Sequence, residues 1–162
     1  MHRLTLALLF MLSACASAHA EPAAGFAALT GSWAGRGQFQ GAPSEVNARF
    51  EPLFDGGAWS LDIDVRFVPQ GRPPMRFQGR AAYVLRDGAP AGGAWIDSFA
   101  NAYEITPRFE AGVLVVDWGE GQVAGRSQYS IEPDGDLLVE DFTRAADGAW
   151  RQFARAELQK AQ

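Results

Sequence analysis

From Gly31 onward, apolar and polar residues alternate with a period of two. The clearest run is 58–68, where Trp59, Leu61, Ile63, Val65 and Phe67 alternate with Ser60, Asp62, Asp64 and Arg66. Successive side chains of a strand point to opposite faces, so this run predicts a half-buried strand. Residues 44–54 repeat the pattern with Val46, Ala48 and Phe50, and residues 75–86 with Phe77, Gly79, Ala81 and Tyr83. Further strands are expected over 94–100, 102–109, 113–120, 122–131, 137–144 and 149–158. Between the runs lie Asp55-Gly56-Gly57, Asp87-Gly88, Ala111-Gly112, Glu120-Gly121, Asp134-Gly135 and Asp147-Gly148. Asp-Gly signals a hairpin because both residues tolerate positive φ. Tight turns make consecutive strands antiparallel neighbours, and closure removes the two edges that an open sheet would expose. The expected fold is all-β: an antiparallel up-and-down β-barrel of about ten strands, a single domain over 31–160.

The first of these strands begins with Gly31-Ser32-Trp33. The glycine permits a tight turn, and the indole two residues on is expected to plug one end of the barrel. Gly35 and Gly37 continue on the Trp33 face without side chains, so a neighbouring strand can come close. Residues 21–30 form a short N-terminal segment, in which one helical turn would lay Phe26 and Leu29 on the base of the sheet. The connection at 40–43 is too short for a helical lid. Loops are expected to cover the mouth, Pro69-Gln70-Gly71-Arg72-Pro73-Pro74 being the stiffest candidate.

Residues 1–20 read as a signal peptide. Arg3 precedes an apolar run, Leu4 to Leu12, that is short for a bilayer span. Ala18-His19-Ala20 fits cleavage before Glu21. Leu12-Ser13-Ala14-Cys15 resembles a lipobox, which would leave Cys15, the one cysteine, lipid-modified. Both readings export the chain, to the periplasm or as an outer-membrane lipoprotein, and the only membrane contact expected is that anchor.

Removing the leader takes away Arg3 and leaves thirteen basic against nineteen acidic residues, a net charge of −6. No basic cluster exists, so nucleic acid is not an expected partner. Cleavage after Ala20 also removes both histidines, His2 and His19. That excludes Ser-His-Asp and Cys-His catalysis, His-bearing zinc motifs and histidine-ligated haem. No cofactor and no metal are expected. Glu132-Pro133-Asp134-Gly135-Asp136 lacks the remaining ligands of a calcium loop and reads as a hairpin turn. Gly125-Arg126-Ser127-Gln128-Tyr129 lacks the second glycine of a nucleophile elbow.

Leu29-Thr30-Gly31-Ser32-Trp33-Ala34-Gly35 resembles the opening of calycin-type barrels: lipocalins, avidins and nitrobindin-like proteins. The Phe77-Gln78-Gly79 strand followed by Trp95-Ile96-Asp97 is similar to a family of small bacterial lipocalin-like barrels of unknown function. The aromatic content, the barrel fold and the lack of catalytic residue types favour a barrel that binds a small, lipophilic molecule. The resemblance implies that an arginine of the last strand, Arg151 or Arg155, covers the Trp33 indole. Nitrobindin-type haem binding needs a proximal histidine, and no biotin site can be matched residue by residue, so neither activity carries over.

Trp95, Asp97, Tyr103, Tyr129, Trp150 and Gln152 are the candidate ligand-binding residues. Asp97 shares a face with Trp95 and Phe99, and an acid on an apolar face can have a raised pKa and act as acid, base or ligand anchor. It can equally be a rim acid or the partner of an arginine such as Arg80. Asp117 shares a face with Val113 and Val115 in the same way, near a strand end. Tyr103, Tyr129, Trp150 and Gln152 are assigned to inward faces of late strands, where polar-tipped aromatics suit a small pocket or serve as ordinary core. Three functions remain open: a ligand-binding barrel, an enzyme working through Asp97 without a catalytic histidine, and a filled structural barrel of the envelope.

Overall fold

The computed structural model describes residues 22–161. The leader and Cys15 lie outside the described residues. A helix, α1 (Pro22–Leu29), precedes ten strands: β1 (Gly31–Phe39), β2 (Ala42–Leu53), β3 (Ala58–Phe67), β4 (Met75–Arg86), β5 (Ala89–Asp97), β6 (Ala102–Glu110), β7 (Val113–Trp118), β8 (Gly125–Ile131), β9 (Leu137–Arg144) and β10 (Trp150–Lys160). Each strand pairs antiparallel with the next, and β10 returns to β1, so the barrel is closed. The alternation expected for 58–68 is present: Leu61, Ile63, Val65 and Phe67 are buried, while Asp62, Asp64 and Arg66 face outward.

Closure depends on the glycines of β1. A Cβ on Gly35 would strike the Glu157 carbonyl, and one on Gly37 the Arg155 carbonyl, both in β10. Bare backbone at these positions lets the first and last strands approach to pairing distance. Several element limits differ from the sequence reading, among them β8, which begins at Gly125 rather than 122. β5 begins at Ala89, because an irregularity between Val84 and Leu85 keeps Pro90 in the ladder. The N-terminal segment is eight residues of helix rather than one turn.

That helix closes one end. Phe26 is wholly buried, stacked on Trp59 at 5.4 Å and set edge-on to Phe109 at 5.1 Å. Trp33 is 2 % exposed, and its Nε1 donates to the Leu29 carbonyl at 2.8 Å. The predicted plug is therefore present, but the cation over it is not an arginine. Lys160 Nζ lies 5.2 Å from the indole centroid. Trp33 is in register with Lys160, five residues beyond Arg155. Arg155 points outward to Glu140 and Glu157, and Arg151 pairs with Asp147.

Candidate functional site

The opposite end carries the turns at Gln40–Gly41, 98–101 and 145–149, and beneath them lies a cavity of about 190 Å³. Its size falls between a hole of about 150 Å³ that admits benzene and the roughly 300–1,000 Å³ of drug-sized sites. The expected cover at 69–74 is not part of its lining, which takes Phe99 from the 98–101 turn instead.

One wall is the F-x-G and W-x-D pair. β4 and β5 set Gly79 opposite Asp97 and Ala81 opposite Trp95. The Trp95 ring lies where a Cβ of Gly79 would be, and Phe77 stacks on it at 6.2 Å. The glycine is thus the recess that lets an indole lie flat on the sheet. Trp95 Nε1 donates to Asp97 Oδ2 at 3.1 Å. Trp118 repeats the device over Gly125, and Tyr103 packs on it at 5.6 Å.

Asp97 lines this cavity without the raised pKa that its position suggested. Burial pushes its carboxyl up, but hydrogen bonds from Trp95, from the Asn101 side chain and from the backbone N–H groups of Asn101 and Phe99 outweigh burial and hold it below the ordinary carboxylate value. Arg80 is not its partner, because Arg80 pairs with Asp62 on the outer surface. Asp97 therefore organises the turn that brings Phe99 to the mouth, and a carboxylate so held is a poor proton donor at neutral pH.

The carboxyl with the raised pKa is Asp141 of β9, which the sequence reading missed. Burial drives it up to about 6, and the Ser127 hydroxyl, which donates to Oδ1 at 2.5 Å, offsets only part of that. Trp118 Nε1 in turn donates to Ser127 Oγ at 3.2 Å. Tyr129 is buried below, bonded to Tyr83, and burial raises both phenols. Ser44 Oγ, also on the cavity wall, is buried without a partner. The signal for Asp141 was in the pattern: Leu137, Val139 and Asp141 share one face of β9.

The structure brings Trp95, Asp97, Tyr103 and Tyr129 to one cavity and excludes Trp150 and Gln152. Counting back by twos from Ala154 puts both of these inward. A bulge between Gln152 and Ala154 inserts Phe153 and turns them out. Trp150 lies against Arg126, 4.7 Å from ring centroid to Cζ, and Gln152 donates to Glu140. The same bulge sends Phe153 into the cavity and sets Ala154 beside Asp141, where a methyl group leaves room. Asp117 is also outside, held below the usual carboxylate range: burial raises it, but hydrogen bonds and charge from Arg126 and Arg108 prevail.

No family model and no curated protein matches the chain. Among solved structures, Rv2717c from M. tuberculosis is similar at a TM-score of 0.61 and 16% identity, over 88% of this chain and 99% of that one. The S-type phycobiliprotein lyase CPES from Guillardia theta is similar at 0.50 and 10% identity, over 85% and 92%. These likenesses concern the fold alone, a closed antiparallel β-barrel.

Proposed function

We propose that the protein binds a small, largely apolar molecule in the cavity at the open end. One observation carries this reading. The helix-capped end is filled by rings in contact, while the open end encloses about 190 Å³ among Phe77, Trp95, Tyr103, Trp118 and Phe153. Apolar walls with a few placed polar groups are what a small-molecule site requires. The space argues against the filled-barrel alternative, and the saturated Asp97 argues against acid–base chemistry at that residue.

Indole titrated into isotope-labelled protein should shift the backbone amide signals of residues 95–103 and 125–129 and leave those around Trp33 unmoved. An unchanged spectrum at millimolar indole would overturn the reading.

We further propose that the chain belongs with the small bacterial barrels sharing the F-x-G and W-x-D strands, and that it is exported with lipid on Cys15. The apolar run before Leu12-Ser13-Ala14-Cys15 supports export and lipidation. Cys15→Ala should move the protein from the membrane fraction to the soluble one. Unchanged fractionation, or a mature N-terminus at Glu21, would remove the anchor.

A further inference from the structure

The cavity wall presents the carboxyls of Asp97 and Asp141, hydroxyls and the amides of Gln38, Gln40 and Asn101, but no positive charge turned inward. Among the described residues Arg155 is the only basic residue bordering it, and its guanidinium lies outside the barrel, on Glu140 at 3.0 Å and Glu157 at 2.8 Å. The Trp118 indole N–H is given to Ser127, and Ser127 gives its one hydroxyl proton to Asp141 Oδ1. Among the described residues no donor meets Asp141 Oδ2, and Ser44 Oγ, 6 % exposed as a residue, has no partner.

A partly buried carboxylate facing a cavity without a counter-charge is costly, and an unpaired buried hydroxyl adds to the cost. An anionic ligand would meet Asp141 as a like charge with no cation to offset it. A pure hydrocarbon would leave Asp141 without a counter-charge and Ser44 without a partner. An ammonium group answers the carboxylate, because it donates hydrogen bonds and carries the missing charge. The surrounding rings suit it too, since aromatic faces attract cations.

We propose that the ligand is a small organic amine, bound as its ammonium form with N–H groups on Asp141 and its carbon skeleton against Trp118, Tyr103 and Phe77. This inference rests on the cavity being the binding site. The raised pKa of Asp141 agrees with it, as that carboxyl lacks the charge a bound ammonium would bring.

The test is calorimetric titration at pH 7.5 with three probes of similar size: 2-phenylethylamine, 2-phenylethanol and phenylacetate. The amine should bind at least about tenfold more tightly than the alcohol, and phenylacetate should not bind detectably. Asp141→Asn should bring the amine to the affinity of the alcohol while leaving the alcohol within about twofold, which also shows that the variant is folded. Equal binding of amine and alcohol, or preference for the acid, overturns the amine and leaves the cavity reading standing. Failure of all three probes overturns the cavity reading and this inference with it. The comparison on the unaltered protein decides the matter even if the variant does not fold.

Discussion

At the helix-capped end Phe26, Trp59, Tyr83 and Phe109 lie ring against ring, and the Trp33 Nε1 donor beside them has the Leu29 carbonyl. At the open end Phe77, Trp95, Tyr103, Trp118 and Phe153 stand around a cavity whose wall holds Asp141 and an unpartnered Ser44 hydroxyl. Both ends are aromatic, so aromatic content does not separate them. The difference lies in the small and polar residues between the rings. Ser44, Ser127, Asp141 and Ala154 stand on inward positions at the open end, whereas Phe50, Leu61, Leu114 and Leu158 fill the equivalent face deeper in the barrel. Complete packing marks the half that stabilises the fold. A half that tolerates a partly buried carboxyl and an unpartnered hydroxyl has given up stability for another purpose.

The largest expected effect is at the capped end. Trp33→Ala should destabilise by about 3–5 kcal/mol in denaturant melts, because it removes a buried ring and the hydrogen bond to Leu29. A loss below about 1 kcal/mol would erase the contrast between the ends.

Asp141→Asn should act in the opposite direction. The carboxyl goes from its ordinary 3.8 in the unfolded chain to about 6 in the fold, so the folded state holds the extra proton between those values. Its contribution is therefore most favourable below about pH 4, falls as pH rises through 6 and is flat beyond. The variant should be more stable than the parent at pH 7.5 by about 2–3 kcal/mol and lose the slope between pH 4 and 6. Urea melts at pH 4.5 and 7.5 read both effects, and an unchanged slope would mean that Asp141 is not the buried acid.

Ser44→Ala should gain up to about 1 kcal/mol or leave stability unchanged, as it removes an unsatisfied hydroxyl. A loss above that, measured by thermal melting, would show a hidden partner. The smallest effect belongs to Trp150→Ala. It gives up a surface cation–π contact with Arg126, of about 0.5–1 kcal/mol, and should leave indole binding untouched. Weakened binding would restore Trp150 to the cavity.

The alternation of side chains by itself determined the strands, their number and the closed antiparallel barrel, because a period of two with short turns admits few other arrangements. The Gly31-Ser32-Trp33 opening pointed to the burial of Trp33. Asp141 was legible by the same argument applied to Asp97, an acid on an apolar face. The pattern could not say which of the two keeps a raised pKa, because that depends on donors from other strands and from a turn: four donor groups reach Asp97, whereas Ser127 alone reaches Asp141. Trp150 and Gln152 were misplaced because one extra residue in a strand reverses every face before it, and nothing in the alternation marks where the bulge falls. The choice of Lys160 over Arg155 above Trp33 was likewise a matter of register between β1 and β10. Above all, the cavity is decided only in three dimensions. Whether rings from five strands touch or stand apart depends on the glycine recesses and the bulge that set their distances, and a linear pattern records faces, not separations.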